Sequence, residues 1–213
     1  DPRVVLYEDK EEINQPLIIN PSSAVITQES FITLRSSIFS TSEVEDKIAY
    51  SHWQLSTDPN FEKDVVEETV DKDSFYTYCT FQKLQIGVVC YARMRFKSME
   101  GWFSAWSPSL KIMKIFVQPP TVIFVGTDNL KAELQPLVKV KPMKTKGLEL
   151  EHLGTDWVVV DEDDEEIEFS TGPEVYTFKL PPLKPGKKYQ LKGKHKATTG
   201  FSSPMWGTYS FKT

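Results

Sequence analysis

The stretch "YARMRFKSMEGWFSAWSPS", residues 91–109, decides how this chain is read. Basic side chains fall at every second position: Arg93, Arg95 and Lys97. Alternate residues of a strand share a face, so these three stand outward with Tyr91, while Cys90, Ala92, Met94 and Phe96 point inward. A glycine turn at Gly101 follows, and "FSAWS" returns beside the first strand. That return lays Trp106 over the row of guanidinium groups, with Phe103 in the same run. Each stacked cation–ring contact contributes about 0.5–2 kcal/mol, depending on desolvation. The stretch therefore reads as a braced strand pair, with ligand contact as the alternative.

Outward from it, short segments of alternating polarity recur along the whole chain. "FITLRSSIF", "SHWQLS", "FYTYCTF" and "LKIMKIF" occupy the first half. "VIFVG", "LVKVKP", "DWVVV", "VYTFKL", "YQLKGKH" and "GTYSF" occupy the second. Short strands at this spacing, punctuated by Pro, Gly, Asn and Asp, predict an all-β sandwich architecture. The 213 residues suit two such domains of about 100 each. "VQPPTV" is the natural boundary, giving a segment 1–15, a domain 16–117 and a domain 118–213. The halves also repeat one another. Trp53 matches Trp157, and Leu84, Gly87 and Cys90 match Leu183, Gly186 and Tyr189 at a constant offset. Such a long period means tandem domains, since solenoid repeats are shorter.

"LKPGKKY", Leu183 to Tyr189, resembles the E–F corner of fibronectin type III domains. The resemblance implies a core-plugging Leu183, a turn at Pro185, and a Tyr189 hydroxyl bonded back to the corner's backbone. It also places Trp53 and Trp157 in the two cores, on strand C. The implied fold is two tandem fibronectin type III-like, immunoglobulin-like β-sandwich domains. The first domain departs from the corner pattern, with Ile86 for the proline and Cys90 for the tyrosine. Its "FSAWS" resembles the WSxWS ladder of cytokine-receptor domains, a chiefly structural feature. "HWQLSTDPNF" followed by "YARMRFKSMEGWFSAWS" is similar to fibronectin-like modules of bacteriophage virion proteins, in tails, fibres and head decorations.

Cys79 and Cys90 fall at inward phases and read as two small buried thiols, with a disulfide between them as the alternative. Two cysteines and no N-x-S/T acceptor lean towards assembly in a reducing cytoplasm. The acidic run Asp161 to Glu166 reads as a solvated turn and lacks the ligand spacing of an EF-hand. The basic strand "KPGKKYQLKGKHK" puts Lys192, Lys194 and Lys196 on one face, a candidate partner-binding row. No aromatic alternates with them as a nucleic-acid stacking platform would need, and the net charge of −5 also argues against nucleic acid. The histidines, His52, His152 and His195, are too scattered to predict a metal centre, and His195 falls at an inward, packed phase. No nucleophile elbow, zincin, phosphate-loop or dinucleotide motif is present, so no enzyme and no cofactor is expected. The apolar runs are too short for membrane insertion.

The expectation is a non-enzymatic virion component, assembled in the host cytoplasm. Its partners would be other virion structural proteins of capsid or tail, and a host-surface glycan. Val4, Val5, Leu6 and Tyr7 would add a strand to a neighbouring subunit. The alternatives are a cell-surface receptor or adhesin ectodomain, binding protein or glycan through its loops, and a non-catalytic module of a glycan-degrading enzyme.

Overall fold

The computed structural model describes residues 13–42, 46–125, 134–203 and 206–213. Val4, Val5, Leu6 and Tyr7 lie outside the described residues. The chain divides into two compact units between Lys114 and Ile115.

The first unit holds β1 (Ile18–Asn20), β2 (Val25–Thr27), β3 (Ile32–Ser36), β4 (Ile48–Ser56), β5 (Val66–Asp71), β6 (Tyr78–Phe81), β7 (Val89–Ser98) and β8 (Leu110–Lys114). One sheet runs β1-β3-β6 and the other β2-β8-β7-β4-β5. β7 alternates half-buried and buried side chains over its whole length, as its period-two pattern requires. Cys90, Ala92, Met94 and Phe96 pack inward against Leu34, Trp53, Phe81 and Ile112 to form the core. The buried Trp53 indole donates to Ser51 Oγ (2.9 Å), and that hydroxyl donates to the Tyr76 carbonyl (2.6 Å). A buried N–H is thus satisfied at no cost to packing.

The second unit holds β9 (Phe116–Val117), β10 (Val122–Val125), β11 (Leu137–Val140), β12 (Thr145–Lys146), β13 (His152–Asp161), β14 (Glu166–Thr171), β15 (Thr177–Lys179), β16 (Lys188–Ala197) and β17 (Gly207–Lys212). Its sheets run β10-β11-β15 and β14-β13-β16-β17, with β9 and β12 paired separately. Trp157, Val159, Leu180 and Leu191 lie in its core. Gly193 stands opposite Trp157, and a Cβ there would come within 2.3 Å of the indole ring. The glycine is therefore a packing requirement of that tryptophan. Apart from a 3-10 turn at Thr198–Gly200, the elements of the described residues are all β: two tandem fibronectin type III-like sandwiches, each with a three-stranded and a larger sheet around one core.

Three features differ from the sequence reading. β5 and β14 extend the larger sheets, although "VEETVD" and "EIEFST" gave little strand signal. They are sheet-edge strands rich in acids, with mostly exposed side chains, and acidic residues are depleted in strands generally. "LKIMKIF" is not one strand, because it breaks after Lys114 and Phe116–Val117 pairs with Thr145–Lys146 of the second unit. "FSAWS" does not form a regular strand either, and regular pairing with β7 resumes only at Leu110.

Candidate functional site

The outer face of β7 carries an alternating stack of cations and rings. The Arg93 guanidinium lies 4.0 Å from the Phe61 ring centroid and 4.3 Å from that of Trp106. Arg95 lies 4.4 Å from Trp106 and 3.9 Å from Phe103. Lys97 Nζ lies 5.1 Å from Phe103 and 5.4 Å from Tyr50. The order along the face is Phe61, Arg93, Trp106, Arg95, Phe103, Lys97, Tyr50. Each internal member has an oppositely polarised neighbour on both sides, which suits the negative ring faces and the cations alike.

The irregular run 103–107 is held by serine. Ser104 N–H donates to the Phe96 carbonyl (3.0 Å), and Ser107 N–H to that of Met94 (2.8 Å). In return Phe96 N–H donates to Ser104 Oγ (2.9 Å), and Met94 N–H to Ser107 Oγ (3.1 Å). A three-residue spacing in this run thus faces a two-residue spacing in β7. The hydroxyls stand in for the carbonyls that a regular strand would supply. Phe103 and Trp106 share the same three-residue spacing, so they emerge together over the cations.

The cations are also gripped from beneath. Arg93 Nε donates to Gln54 Oε1 (2.8 Å), and Arg95 Nε to His52 Nδ1 (3.3 Å). Gln54 Nε2 donates to Glu67 Oε1 (2.5 Å), and His52 Nε2 lies 3.5 Å from the same oxygen. Glu67, on the edge strand β5, is thereby linked through β4 to both guanidiniums on β7. Burial, reinforced by the Arg95 charge, pushes His52 below its ordinary pKa. A neutral ring at neutral pH leaves Nδ1 free to accept. Burial also lowers both arginines, with Arg95 contributing to the shift of Arg93. With the Nε donor of each arginine held by a β4 side chain and each guanidinium stacked between two rings, the geometry is that of a brace.

Phe61, Tyr50, Gln54 and Glu67 were not singled out from sequence, and His52 was weighed only as a metal ligand. The outward parity of Tyr50, His52 and Gln54 follows from the inward Trp53, so a strand C register would have found them. Phe61 reaches Arg93 from a turn with φ of 60° and carries no periodic signal.

At the corner of the second unit, Leu183 is buried and Lys184 N–H donates to Tyr189 Oη (2.9 Å). Pro185 and Gly186, the latter at φ 79°, turn the chain. Tyr189→Phe is expected to cost about 1–2 kcal/mol, because it leaves that N–H without its acceptor. Urea unfolding should register the loss, with the m-value unchanged.

Cys79 and Cys90 are both buried free thiols, and the disulfide alternative is not formed. They lie on β6 and β7, in opposite sheets of the first unit. Burial pushes Cys79 up to about 12, with Glu68 adding to it, and raises Cys90 as well. Thiolate chemistry is thus suppressed at both.

The acidic loop is less solvated than its composition suggests. Asp161 is buried and pairs with Lys187 (2.7 Å), which also contacts Asp163, while Glu165 pairs with Lys184 (2.8 Å). The Lys187 ammonium, with two backbone N–H donors, holds Asp161 down to about 2. Among the described residues no group of three or more His, Cys, Asp or Glu is placed to hold a metal.

Lys192, Lys194 and Lys196 occupy in the second unit the strand positions that Arg93, Arg95 and Lys97 occupy in the first. No ring stacks on them among the described residues. Lys196 pairs with Asp156 (2.7 Å), so the row of three is not a uniform free surface. His195 is buried behind this face. Its Nδ1 lies 2.8 Å from Thr155 Oγ1, which lies 3.1 Å from His152 Nε2. His152 Nδ1 donates to the Pro173 carbonyl (2.6 Å).

Burial, with His152 beside it, pulls His195 down to about 4. Between pH 6.5 and 4 the unfolded chain therefore binds a proton that the folded unit refuses. Stability falls as the pH drops, by about 2 kcal/mol at pH 5 relative to neutral pH. His195→Gln should flatten that dependence in unfolding titrations between pH 7 and 5.

No protein-family model and no curated protein matches this chain. Solved structures do resemble it. A two fibronectin type-III domain segment from chicken tenascin is 16% identical, covering 95% of this chain and 97% of that one, at a TM-score of 0.39. The FN1–FN3 domains of chicken CNTN1 are 13% identical, covering 94% and 66%, at 0.44. Fibronectin(III)-like modules of Clostridium thermocellum CbhA are 12% identical, covering 93% and 94%, at 0.43. These likenesses concern the fold, and the fold assignment itself rests on the strand order described above.

Proposed function

We propose that this chain is a non-enzymatic structural component of a bacteriophage virion, assembled in the host cytoplasm. Its two sandwiches are displayed on the particle for attachment to capsid or tail subunits, reinforcement, or weak adhesion to the host surface. The supporting observation is the union of the two sequence stretches that carry the virion resemblance. "HWQLSTDPNF" contributes His52, Gln54 and Phe61, and "YARMRFKSMEGWFSAWS" contributes Arg93, Arg95, Phe103 and Trp106, to one stack. The similarity thus tracks a single physical assembly. Val4, Val5, Leu6 and Tyr7 are the proposed docking strand.

The test is the protein composition of purified particles, with and without residues 1–15. This chain at fixed copy number, reduced on deletion, supports the reading. Its absence from particles overturns it.

A second reading, a receptor or adhesin ectodomain, is favoured by Met99 and Trp102. Both large apolar side chains are exposed on the turn between β7 and the serine-held run, where binding loops commonly lie. Recovery of the chain on cell surfaces, with no particle fraction, would select it.

A further inference from the structure

On the outer face of the second unit lies a hollow of about 570 Å³, within the usual size of small-ligand sites. Residues of β13, β16 and β17 line it. Gln190 pairs with Val160 on one side and Ser210 on the other. The exposed amide and hydroxyl offer hydrogen bonds, while Val160 is itself buried. Lys188, Lys192 and Lys212 also line the hollow.

The lysines are arranged against their own stability. Lys188 and Lys212 are directly opposite across β16 and β17, and Lys192 follows on the same face of β16. Like charges so placed repel. Lys184, Lys187 and Lys196 each have a carboxylate partner. Among the described residues, Lys188, Lys192 and Lys212 have no ion-pair partner. Acids are close at hand, yet Asp161, Asp163 and Glu165 are already engaged by Lys187 and Lys184. Glu162 and Asp164 line the same hollow.

We propose that this hollow binds an acidic saccharide, a sugar chain bearing carboxylate groups. The sugar's carboxylate neutralises the lysine cluster. Its hydroxyls donate to Glu162 and Asp164 and exchange hydrogen bonds with Gln190 and Ser210. A nucleic acid would use the lysines too. It would, however, find no stacking platform, since the rings lining the hollow, Tyr189 and Phe211, are buried. A saccharide uses both signs of charge.

The site deepens the surface-adhesion part of the proposed function. Binding is measured on the full chain in solution, whereas particle incorporation is read from virion composition, so either can fail without the other.

The experiment titrates the full chain with a tetragalacturonate, the matching neutral tetragalactose, and inorganic phosphate, by calorimetry and amide chemical shifts. The expected result is saturable binding of the acidic tetrasaccharide, with shifts centred on Gln190 and Ser210. The neutral sugar and phosphate should each bind at least ~10-fold more weakly, the scale of one hydrogen bond to a charged group. Lys188→Gln and Lys212→Gln should each weaken binding by ~10-fold, while Lys184→Gln leaves it unchanged. Equal binding of the neutral sugar overturns the role of the lysines. Phosphate binding as tightly as the tetrasaccharide reduces the hollow to an anion patch and overturns the saccharide assignment. No binding of the acidic probe at millimolar concentration overturns the proposal outright.

Discussion

Trp106→Ala should destabilise the first unit by about 2–4 kcal/mol, the combined loss of two desolvated cation–ring contacts and the buried ring area. The indole sits between Arg93 and Arg95, at 4.3 and 4.4 Å, and its ring also lies 5.1 Å from that of His52. Its removal leaves two guanidiniums facing each other with nothing between them. Trp106→Phe should recover about half the loss, since a smaller ring can still stack but spans the gap less well. Hydrogen exchange localises the effect. Protection of the β4 and β7 amides should fall about tenfold for each 1.4 kcal/mol, while β13 and β16 amides keep theirs. Lys97→Ala, at the looser end of the stack, should cost under about 1 kcal/mol.

Gly193→Ala should cost about 3 kcal/mol, at the upper end of overpacking effects. The added methyl would meet the Trp157 ring at 2.3 Å and Pro120 Cγ at 2.8 Å. Trp157 is wholly buried, and its N–H is fixed by Thr171 Oγ1 at 3.0 Å, so the ring has no ready escape. Pairing the change with Trp157→Phe should return part of the stability, because the smaller ring vacates the contested space. Measured by urea unfolding, the double variant should then lose less than the sum of the two single changes.

The period of two in "CYARMRFK" gave the inward and outward faces of β7 directly, and the corner residues Leu183, Pro185 and Tyr189 marked the turn before β16. Both signals are local, and both survive in one sequence read alone. The acidic edge strands β5 and β14 were hidden because each carries only two apolar residues, Val66 and Val70 or Ile167 and Phe169, among hydroxyl residues and acids, the latter disfavouring strands. The ring–cation row was legible as Arg93, Arg95, Phe103 and Trp106. Its depth was not: Phe61 arrives from a turn at positive φ, and the Glu67 link depends on β5 pairing with β4. The lysine hollow was hidden for a similar reason. Lys192, Lys194 and Lys196 share a strand and were found together. The grouping of Lys188 with Lys212 instead requires the β16–β17 register, which no periodicity within either strand specifies.

The interpretation of residues 91–109 as a brace is tested most directly by a double-mutant cycle between Arg95→Met and Trp106→Ala. Methionine keeps an apolar stem while removing the cation, so the cycle isolates the charge–ring term. A coupling free energy of at least about 1 kcal/mol between the two positions is the expected result. Additivity within about 0.3–0.5 kcal/mol would mean that the guanidinium and the indole do not support each other, and would contradict the brace.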